Sequence, residues 1–332
     1  MAKTVNGAFN TFMQNYVNLD KGVVEKARKS RDNLLDNIKD FNKNNEFFRL
    51  CSDFNIQFGS FARKTKCRPL NDIDLMVGIS ADGAVYDSAN QWDNITLYAS
   101  DANDCQMQCA NSNGSLNSTL VLNRFKKELE KLPEYQHSEI KRNHEAIVLN
   151  LISKDWSFDI VPCFFTKPEV DGRTFYLIPN GKGNWKKTDP RIDKDRISKL
   201  RKTHGNAMLD AIRLFKYWNK YANTCTIDGY ISECLLLQYF ELNNNDSELK
   251  FLFYDLLLYV RNNIYFDIQD PKGIQGNINN LSFNEKSNIQ TKVDNIIYKA
   301  NEALRTEIYD NNTEKAINIW RNIFGEDFPK YE

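Results

Sequence analysis

The chain has 332 residues, 41% hydrophobic and 27% charged, which is the composition of a folded protein that buries one large core or two smaller ones. Its 44 basic and 44 acidic side chains give a formal net charge of +0. Proteins that hold long nucleic acid usually carry a basic excess, because neutralised phosphates supply most of their affinity. The balance therefore favours a small charged substrate and disfavours long RNA or DNA.

The N-terminal segment lacks the pattern of a secretory signal, and no stretch approaches the ~18 consecutive apolar residues of a membrane-spanning helix. We therefore expect a cytoplasmic protein that does not associate with a membrane. Seven cysteines, scattered and odd in number, do not indicate a disulfide framework. Cys105 and Cys109 form the one close pair, and with all three histidines far away we interpret them as surface loop thiols and not as zinc ligands.

The predicted elements change character along the chain. A period near 3.6 residues predicts a long N-terminal helix from about Phe9 to Leu50. Strands at 54–58 and 72–79, a polar excursion over 80–118, a helix at 120–132, strands at 146–152 and 156–165, and a loop at 176–191 follow. The remainder predicts helices at 195–221, 230–243, 247–263, 284–304 and 313–324. The order indicates an α+β protein with a catalytic lobe at 1–192 and a helical lobe at 193–332.

Gly59 and Ser60 follow the first predicted strand, in NIQFGS. Glycine allows the backbone to approach a ligand closely, and successive N–H groups with a serine hydroxyl can hold an anion. Gly-Ser is also a common turn, so on its own the pair is weak support for a phosphate site.

Asp72 and Asp74 open the second predicted strand, DIDLMVGI, and residues two apart in a strand share a face. Two carboxylates this close repel each other unless solvent or a divalent cation compensates them. Asp159 lies within the later apolar strand WSFDIVPCF, where an acidic side chain needs a cation or hydrogen-bond donors. Two solvated aspartates, and an Asp159 that caps a neighbouring element, are the alternatives.

The combination of these segments is more specific than any one of them. Mg²⁺ prefers carboxylate and phosphate oxygens, and two such ions about 3.5–4 Å apart can join three aspartates to a triphosphate. The Gly-Ser turn, the paired aspartates and the later aspartate together predict a phosphoryl-transfer site that uses two Mg²⁺ ions, for which Mn²⁺ can substitute.

The run GSFARKTKCRPLNDIDLMV resembles the active-site strand of the DNA polymerase β-like nucleotidyltransferases. Together with YLIPNGKGNWKKTDPR it is most similar to the cGAS/DncV-like nucleotidyltransferases, or CD-NTases, of bacterial anti-phage CBASS systems. The resemblance implies a polymerase β-like lobe with a mixed twisted sheet, flanking helices and a long N-terminal helix. It also implies an active site in a cleft between this lobe and the C-terminal helical lobe.

The resemblance also implies roles for particular residues. The phosphate-holding pair falls on Gly59 and Ser60, and the metal carboxylates, which are also the catalytic residues, fall on Asp72, Asp74 and Asp159.

A lysine that contacts substrate phosphate falls on Lys216, which as an alternative is a solvated helix lysine. A base-stacking aromatic falls on Tyr230, which is otherwise an ordinary core residue, and Gly229 stands where the family has serine. Arg63 and Lys66 could face the triphosphate or belong to a solvated loop.

A family-like loop contributes Asn180, Trp185 and Thr188 as candidates for reading a base, although Trp185 could equally be a packing anchor. The function implied is a cyclic oligonucleotide synthase that acts as a monomer on purine NTPs, which are ATP, GTP or both. A cyclic dinucleotide is the expected product. Its product would reach a downstream effector that senses cyclic nucleotides. A tRNA- or poly(A)-type nucleotidyltransferase and a catalytically inactive nucleotide-binding module are the alternatives.

Overall fold

The computed structural model describes residues 2–89, 91–101, 103–221, 226–244 and 247–332. The strands are β1 (Ile56–Phe58), β2 (Asp72–Gly78), β3 (Val85–Tyr86), β4 (Leu97–Tyr98), β5 (Glu139–Asn143), β6 (Ala146–Asn150), β7 (Ser157–Phe165), β8 (Tyr176–Pro179) and β9 (Trp185–Thr188). The α-helices are α1 (Val5–Phe12), α2 (Lys21–Lys39), α3 (Gly59–Ala62), α4 (Asp104–Met107), α5 (Ser118–Lys131), α6 (Pro190–Tyr221), α7 (Gly229–Leu242), α8 (Leu249–Asn263), α9 (Phe283–Ile308) and α10 (Thr313–Phe324).

The described chain divides into two compact units. The sheet unit comprises residues 22–63 and 70–194, and the helical unit comprises residues 1–21, 64–69 and 195–332. The sequence-based division placed all of 1–192 in one lobe, whereas the first 21 residues and a short segment after Arg63 lie in the helical unit. The physical reason is α1, which buries Phe9 against Trp320 of α10 with ring centroids 4.9 Å apart.

The long helix predicted from Phe9 to Leu50 is interrupted. After α1 the chain continues as a π-helix over Met13–Val17, and at Asn18 it becomes extended, before α2 begins at Lys21. A 3₁₀ turn follows α2, and Asn45 takes a positive φ of 58°. The Asn- and Lys-rich stretch at 42–45 lacks the apolar face that would continue the helix, so the helical period ends there.

The sheet is mixed, with the strand order β1-β2-β7-β6-β5 and a further pairing of β8 with β7 and of β9 with β8. β2 and β7 run parallel, and the other pairings are antiparallel. Strands β2 and β7 are central and carry largely buried residues. The α+β class that the sequence predicts, with an N-terminal helix, a mixed sheet and a helical C-terminal region, is confirmed.

Two parts of the sheet were not predicted. The segment 176–191 is not a loop: β8 and β9 form a hairpin, and α6 begins at Pro190. The Gly and Pro residues suggested a loop over the whole segment, but they mark only the turn between the two strands. Backbone pairing of β8 with β7 makes the rest of the segment a sheet. β5 was missed because its residues are mostly charged and exposed, as at a sheet edge.

Cys105 and Cys109 are not surface thiols, as the sequence analysis expected. Both side chains are buried, and burial raises the pKa of Cys109 to about 11. Cys105 lies on α4, and the guanidinium of Arg124 approaches its sulfur at 3.6 Å. Among the described residues no helix is both long enough and apolar enough to cross a lipid bilayer.

Candidate active site

The three predicted metal carboxylates lie on one face of two neighbouring strands. In the parallel ladder of β2 and β7, Asp74 pairs with Asp159, and Asp72 pairs with Ser157. Residues in register on parallel strands point to the same side of a sheet, and neighbouring strands lie about 4.8 Å apart. The structure therefore brings Asp72, Asp74 and Asp159 together.

The alternation of side chains explains why these aspartates share a face. Between and beside them, Ile73, Leu75, Phe158 and Ile160 point the other way and are at most 1% exposed. The aspartates themselves are partly buried. A shift of either strand by one residue would bury the carboxylates and expose the apolar set, so the apolar face fixes the register of the acidic one.

Gly59 lies directly beside Asp74. β1 is antiparallel to β2, with Phe58 paired to Asp74, and Gly59 follows at the start of α3. Gly59 has a φ of +70°, and a Cβ placed on it would lie 1.7 Å from Oδ2 of Asp74. No side chain fits there, so glycine at this position allows the backbone that leads into Ser60 to pass next to the carboxylate.

The donor set suits a hard divalent cation, because carboxylate oxygens are the ligands that Mg²⁺ prefers. Three partly buried carboxylates on adjacent strand positions also repel one another, and bound cations relieve that repulsion. Within the described part of the chain, no three or more His, Cys, Asp or Glu side chains stand in the arrangement of a ready-made metal site. The fit therefore depends on the backbone register and the type of ligand, and the metal assignment stays a prediction.

Arg63 and Lys66 lie in different units. Arg63 belongs to the sheet unit, where it is partly buried at the end of α3 and its backbone N–H donates to the Gly59 carbonyl at 3.2 Å. Lys66 belongs to the helical unit and is also partly buried, so neither residue is part of a fully solvated loop. Their proposed contacts to a triphosphate stay predictions.

Lys216 lies on α6 in the helical unit and is not a solvated helix lysine. Its side chain is 13% exposed, and its Nζ is 3.1 Å from Oε2 of Glu233, a residue of α7 that is 1% exposed. The same carboxylate oxygen accepts a hydrogen bond of 2.5 Å from the hydroxyl of Thr65. The solvated alternative is therefore wrong, and the role in phosphate binding stays a prediction.

Tyr230 lies in the first turn of α7, after the capping residue Asp228. Its hydroxyl accepts a hydrogen bond from Nζ of Lys272, which lies 4.3 Å from the centre of its ring. Lys272 forms an ion pair of 3.0 Å with the buried Asp270. Burial alone raises the pKa of Asp270, but the hydrogen bond and charge of Lys272 outweigh it, so the pKa lies below its usual value. Tyr230 is thus held by a cation, and base stacking stays a prediction.

At position 229, where the family pattern has serine, the surrounding space does not require the glycine that this chain has. A Cβ built on it would lie 4.0 Å from Cε of Lys216, an ordinary contact distance, and its φ is not in the left-handed region. A serine side chain would therefore fit.

The hairpin residues that were candidates for recognising a nucleotide base make contacts within the fold itself. Trp185 is fully buried, its indole N–H donates to the Leu116 carbonyl at 2.8 Å, and it packs on Phe164. Asn180 shapes the turn by accepting from the backbone of Lys182 and Asn184. The packing alternative is the one that the structure shows for Trp185. Thr188 pairs with Tyr176 in the β8–β9 ladder.

Thr65, Glu233 and Lys272 were not identified from the sequence. A signal existed for Glu233, since it is an acidic residue inside the apolar run ISECLLLQYF, the same kind of observation that singled out Asp159. Thr65 carries no comparable signal, because its partner is 168 residues away.

The sequence of the chain is similar to those of known nucleotide synthases. Residues 91–200 match the model of the Second Messenger Oligonucleotide or Dinucleotide Synthetase domain, a range that includes Asp159 and the β8–β9 hairpin. A probable cyclic nucleotide synthase of Bacillus cereus strain VD146 is 39% identical over 338 residues, which cover 100% of both chains. A cyclic AMP-AMP-AMP synthase of Acinetobacter sp. strain ATCC 27244 / 9458 is 25% identical over 210 residues, 60% of this chain and 58% of that protein.

Two solved structures share the fold. The structure of CdnC from E. coli MS115-1 with ATP has a TM-score of 0.65 and 20% identity, over 97% of this chain and 98% of that one. The complex of the same CdnC with HORMA-deltaN has a TM-score of 0.66 and 18% identity, over 97% of each chain. The likeness extends over nearly the whole length of both proteins.

Proposed function

Because the chain belongs to the cGAS/DncV-like nucleotidyltransferases, we propose that Asp72, Asp74 and Asp159 are the carboxylates with which it joins nucleoside triphosphates into a cyclic oligonucleotide. The chain is a nucleotidyltransferase of second-messenger synthesis. The observation that carries the assignment of the site is the pairing of Asp74 with Asp159 across β2 and β7. This pairing puts carboxylates from two distant segments at one point, next to a glycine whose backbone could approach a phosphate.

The chemistry at this point is the attack of a hydroxyl on a phosphate. A 3′- or 2′-hydroxyl oxygen of one nucleotide bonds to the α-phosphorus of another, the bond from that phosphorus to the β-phosphate oxygen breaks, and pyrophosphate leaves. The hydroxyl proton passes toward the carboxylate of Asp159. Asp72, Asp74 and Asp159 would hold Mg²⁺ or Mn²⁺, which when bound would favour the ionised hydroxyl and neutralise charge on the pyrophosphate. The protein itself supplies position and electrostatics, with no covalent intermediate.

Four further features support the binding of a nucleotide. The backbone at Gly59 and the hydroxyl of Ser60 would hold phosphate oxygens. Arg63, four residues after Gly59 in the chain, would face the triphosphate. In the helical unit, Lys216 would contact a phosphate. Tyr230 would stack on a base, with its ring held by Lys272.

The proposal also covers the cyclic product and the effector protein that binds it. We expect a purine cyclic dinucleotide, which a monomer makes from ATP, GTP or both. The product would act in anti-phage defence through an effector that binds it. The Acinetobacter relative is named for a cyclic trinucleotide of AMP, so the number of nucleotides in the ring is a quantity to be measured.

The test is incubation of the purified chain with each labelled NTP and with all four together, in Mg²⁺ or in Mn²⁺. Phosphatase removes the terminal phosphates of unused NTPs and of linear products, whereas a cyclic product has none to lose. Mass spectrometry then distinguishes the cyclic product from linear ones and gives its bases and ring size. The matched control is the Asp72→Asn/Asp74→Asn variant, which keeps the size of both side chains.

A cyclic product from the wild type and none from the control supports the proposal. Pyrophosphate release that depends on added tRNA would indicate the RNA-directed alternative instead. No pyrophosphate release under any combination of NTP and metal would indicate an inactive nucleotide-binding module and overturn the proposal.

A further inference from the structure

A buried cluster joins three segments of the helical unit. The carboxylate of Glu233 on α7 accepts from the hydroxyl of Thr65 at 2.5 Å and from Nζ of Lys216 on α6 at 3.1 Å, both at Oε2. Thr65 is 0% and Glu233 1% exposed. We call these three residues the Glu233 cluster.

Burial of the Glu233 carboxylate would destabilise the fold if its partners were absent. Glu233 is itself 1% exposed, on a helix whose neighbouring residues Ile231, Cys234 and Leu235 are also buried, so its carboxylate is removed from water. A buried carboxylate must be paired and hydrogen-bonded, or it destabilises the fold by several kcal/mol. Thr65 and Lys216 provide that pairing, and in return the carboxylate restricts where each of them can lie.

The segment that carries Thr65 is held at further points. Arg213 of α6 donates to the Lys64 carbonyl at 2.8 Å, and Arg68 donates to the carbonyls of Gln14, Asn15 and Asn18. In the chain this segment, 64–69, lies between Ser60 and Asp72. One carboxylate therefore orders both Lys216 and the segment that connects the two parts of the predicted metal and phosphate site.

We propose that Glu233 is a positioning residue, which orders the Lys216 ammonium for contact with the phosphates of a nucleoside triphosphate. The inference rests on the proposed function, since it concerns the substrate of the same enzyme. A lysine has a flexible four-carbon stem, and ordering such a side chain only when ligand binds lowers the affinity. An ammonium has three donors, so one bond to Glu233 leaves two for phosphate oxygens.

A second buried lysine in the helical unit offers a control. Lys250 of α8 is 5% exposed, and its Nζ is 2.7 Å from Oε1 of Glu307 on α9 and 3.0 Å from Oε2 of Glu248. Glu307→Gln removes a carboxylate from a buried lysine by the same chemical change as Glu233→Gln, but the lysine is not one that we assign to substrate. The control separates loss of stability from loss of positioning.

The experiment measures the dissociation constant of a non-hydrolysable α,β-methylene NTP analogue, in the presence of Mg²⁺, for five full-length proteins. These are the wild type, Glu233→Gln, Lys216→Ala, the double variant with both changes, and Glu307→Gln. Melting temperatures are recorded for each, and KM and kcat are determined where product forms.

If Glu233 acts by ordering Lys216, Glu233→Gln weakens binding about threefold to tenfold, the effect of leaving one flexible side chain unordered. KM rises by the same factor, and Glu307→Gln leaves binding within about twofold of the wild type, whatever its effect on the melting temperature. In the Lys216→Ala background, Glu233→Gln has no further effect on binding, because the side chain it orders is gone. This last comparison does not require the Glu233→Gln single variant to fold.

Additive effects of the two changes on binding would overturn the inference, because Glu233 would then act by a route other than Lys216. An unchanged dissociation constant for Lys216→Ala, or an equal loss of binding in Glu307→Gln, would overturn it as well. The proposed function fails separately, if the wild type binds the analogue but makes no product from NTPs. A wild type that does not bind the analogue would refute both.

Discussion

Gly59 offers the sharpest test of the site, because its environment excludes any side chain. We predict that Gly59→Ala abolishes most of the synthesis of cyclic product while the protein stays folded. The added methyl group would lie 1.7 Å from Oδ2 and 2.4 Å from Cγ of Asp74. Real Cβ atoms do not come this close to another atom, so the carboxylate of Asp74, the backbone of Gly59, or both must move.

The two costs of the substitution differ in size and in kind. The φ of +70° is a conformation that costs an L-residue about 1–2 kcal/mol relative to glycine, and this lowers the free energy of unfolding. Displacing the Asp74 carboxylate by about 1 Å should cost about 100-fold in kcat/KM, or about 2.7 kcal/mol of transition-state stabilisation. The loss of activity should therefore exceed what the loss of stability explains.

The control is Gly172→Ala, in the same unit. Gly172 has a φ of +78° and no atom within 4 Å of a built Cβ, so the substitution imposes the same backbone strain without the clash. Urea unfolding measures the first cost, and initial rates of pyrophosphate release measure the second. If Gly59→Ala and Gly172→Ala have equal kcat/KM, the close approach of Gly59 to Asp74 has no role in catalysis, and the reasoning is refuted.

Three other predictions concern the carboxylates and α6–α7. Asp72→Asn/Asp74→Asn should abolish product, because these are the carboxylates that we propose to hold metal. The melting temperature should stay within a few degrees of the wild type, because they lie on the face of β2 opposite the buried apolar residues; substantial synthesis would reject the site. Lys216→Ala should raise the KM for NTP and, because it leaves the buried Glu233 without its cation, should cost about 3 kcal/mol of unfolding free energy. Equal KM values for variant and wild type would limit Lys216 to a structural role. Gly229→Ser should change the unfolding free energy by less than about 1 kcal/mol, since a Cβ there meets only Cε of Lys216 at 4.0 Å. A larger loss of stability in thermal unfolding would show that a side chain does not fit at this position.

The elements that could be predicted from the sequence are those with a regular apolar period. The strand expected at 72–79 is β2, and the strand expected at 156–165 is β7, each within two residues of its observed bounds. The hairpin of β8 and β9 could not be predicted in the same way, because it exists through backbone pairing with β7 and its turn residues resemble a loop. The break after α1 was also missed, since the polar residues at the break do not disturb the helical period enough to show it.

The same division applies to the candidate site. Alternation alone places Asp72 and Asp74 on one face, which is a local property of one strand. That Asp159 lies opposite Asp74 depends on which strands are neighbours. From the sequence this followed from the chemistry that the combined segments predict and from the family resemblance, and not from a local pattern. The Glu233 cluster depends on contacts between residues that are far apart in the chain, and no local pattern specifies its partners.

The parallel arrangement of β2 and β7 has a consequence for how this family can vary in length. Parallel strands need a long crossover, and here the chain between β2 and β7 provides it. Insertions in the loops of this part, outside β5 and β6, therefore leave the pairing of Asp74 with Asp159 intact. The stretch from Gly59 to Asp74 does not tolerate insertions in the same way. The strands at its two ends, β1 and β2, pair with each other, and Thr65 within it is hydrogen-bonded to Glu233 of α7. A search for distant relatives should thus keep the interval from Gly59 to Asp74 nearly constant and let the loops between β2 and β7 vary in length.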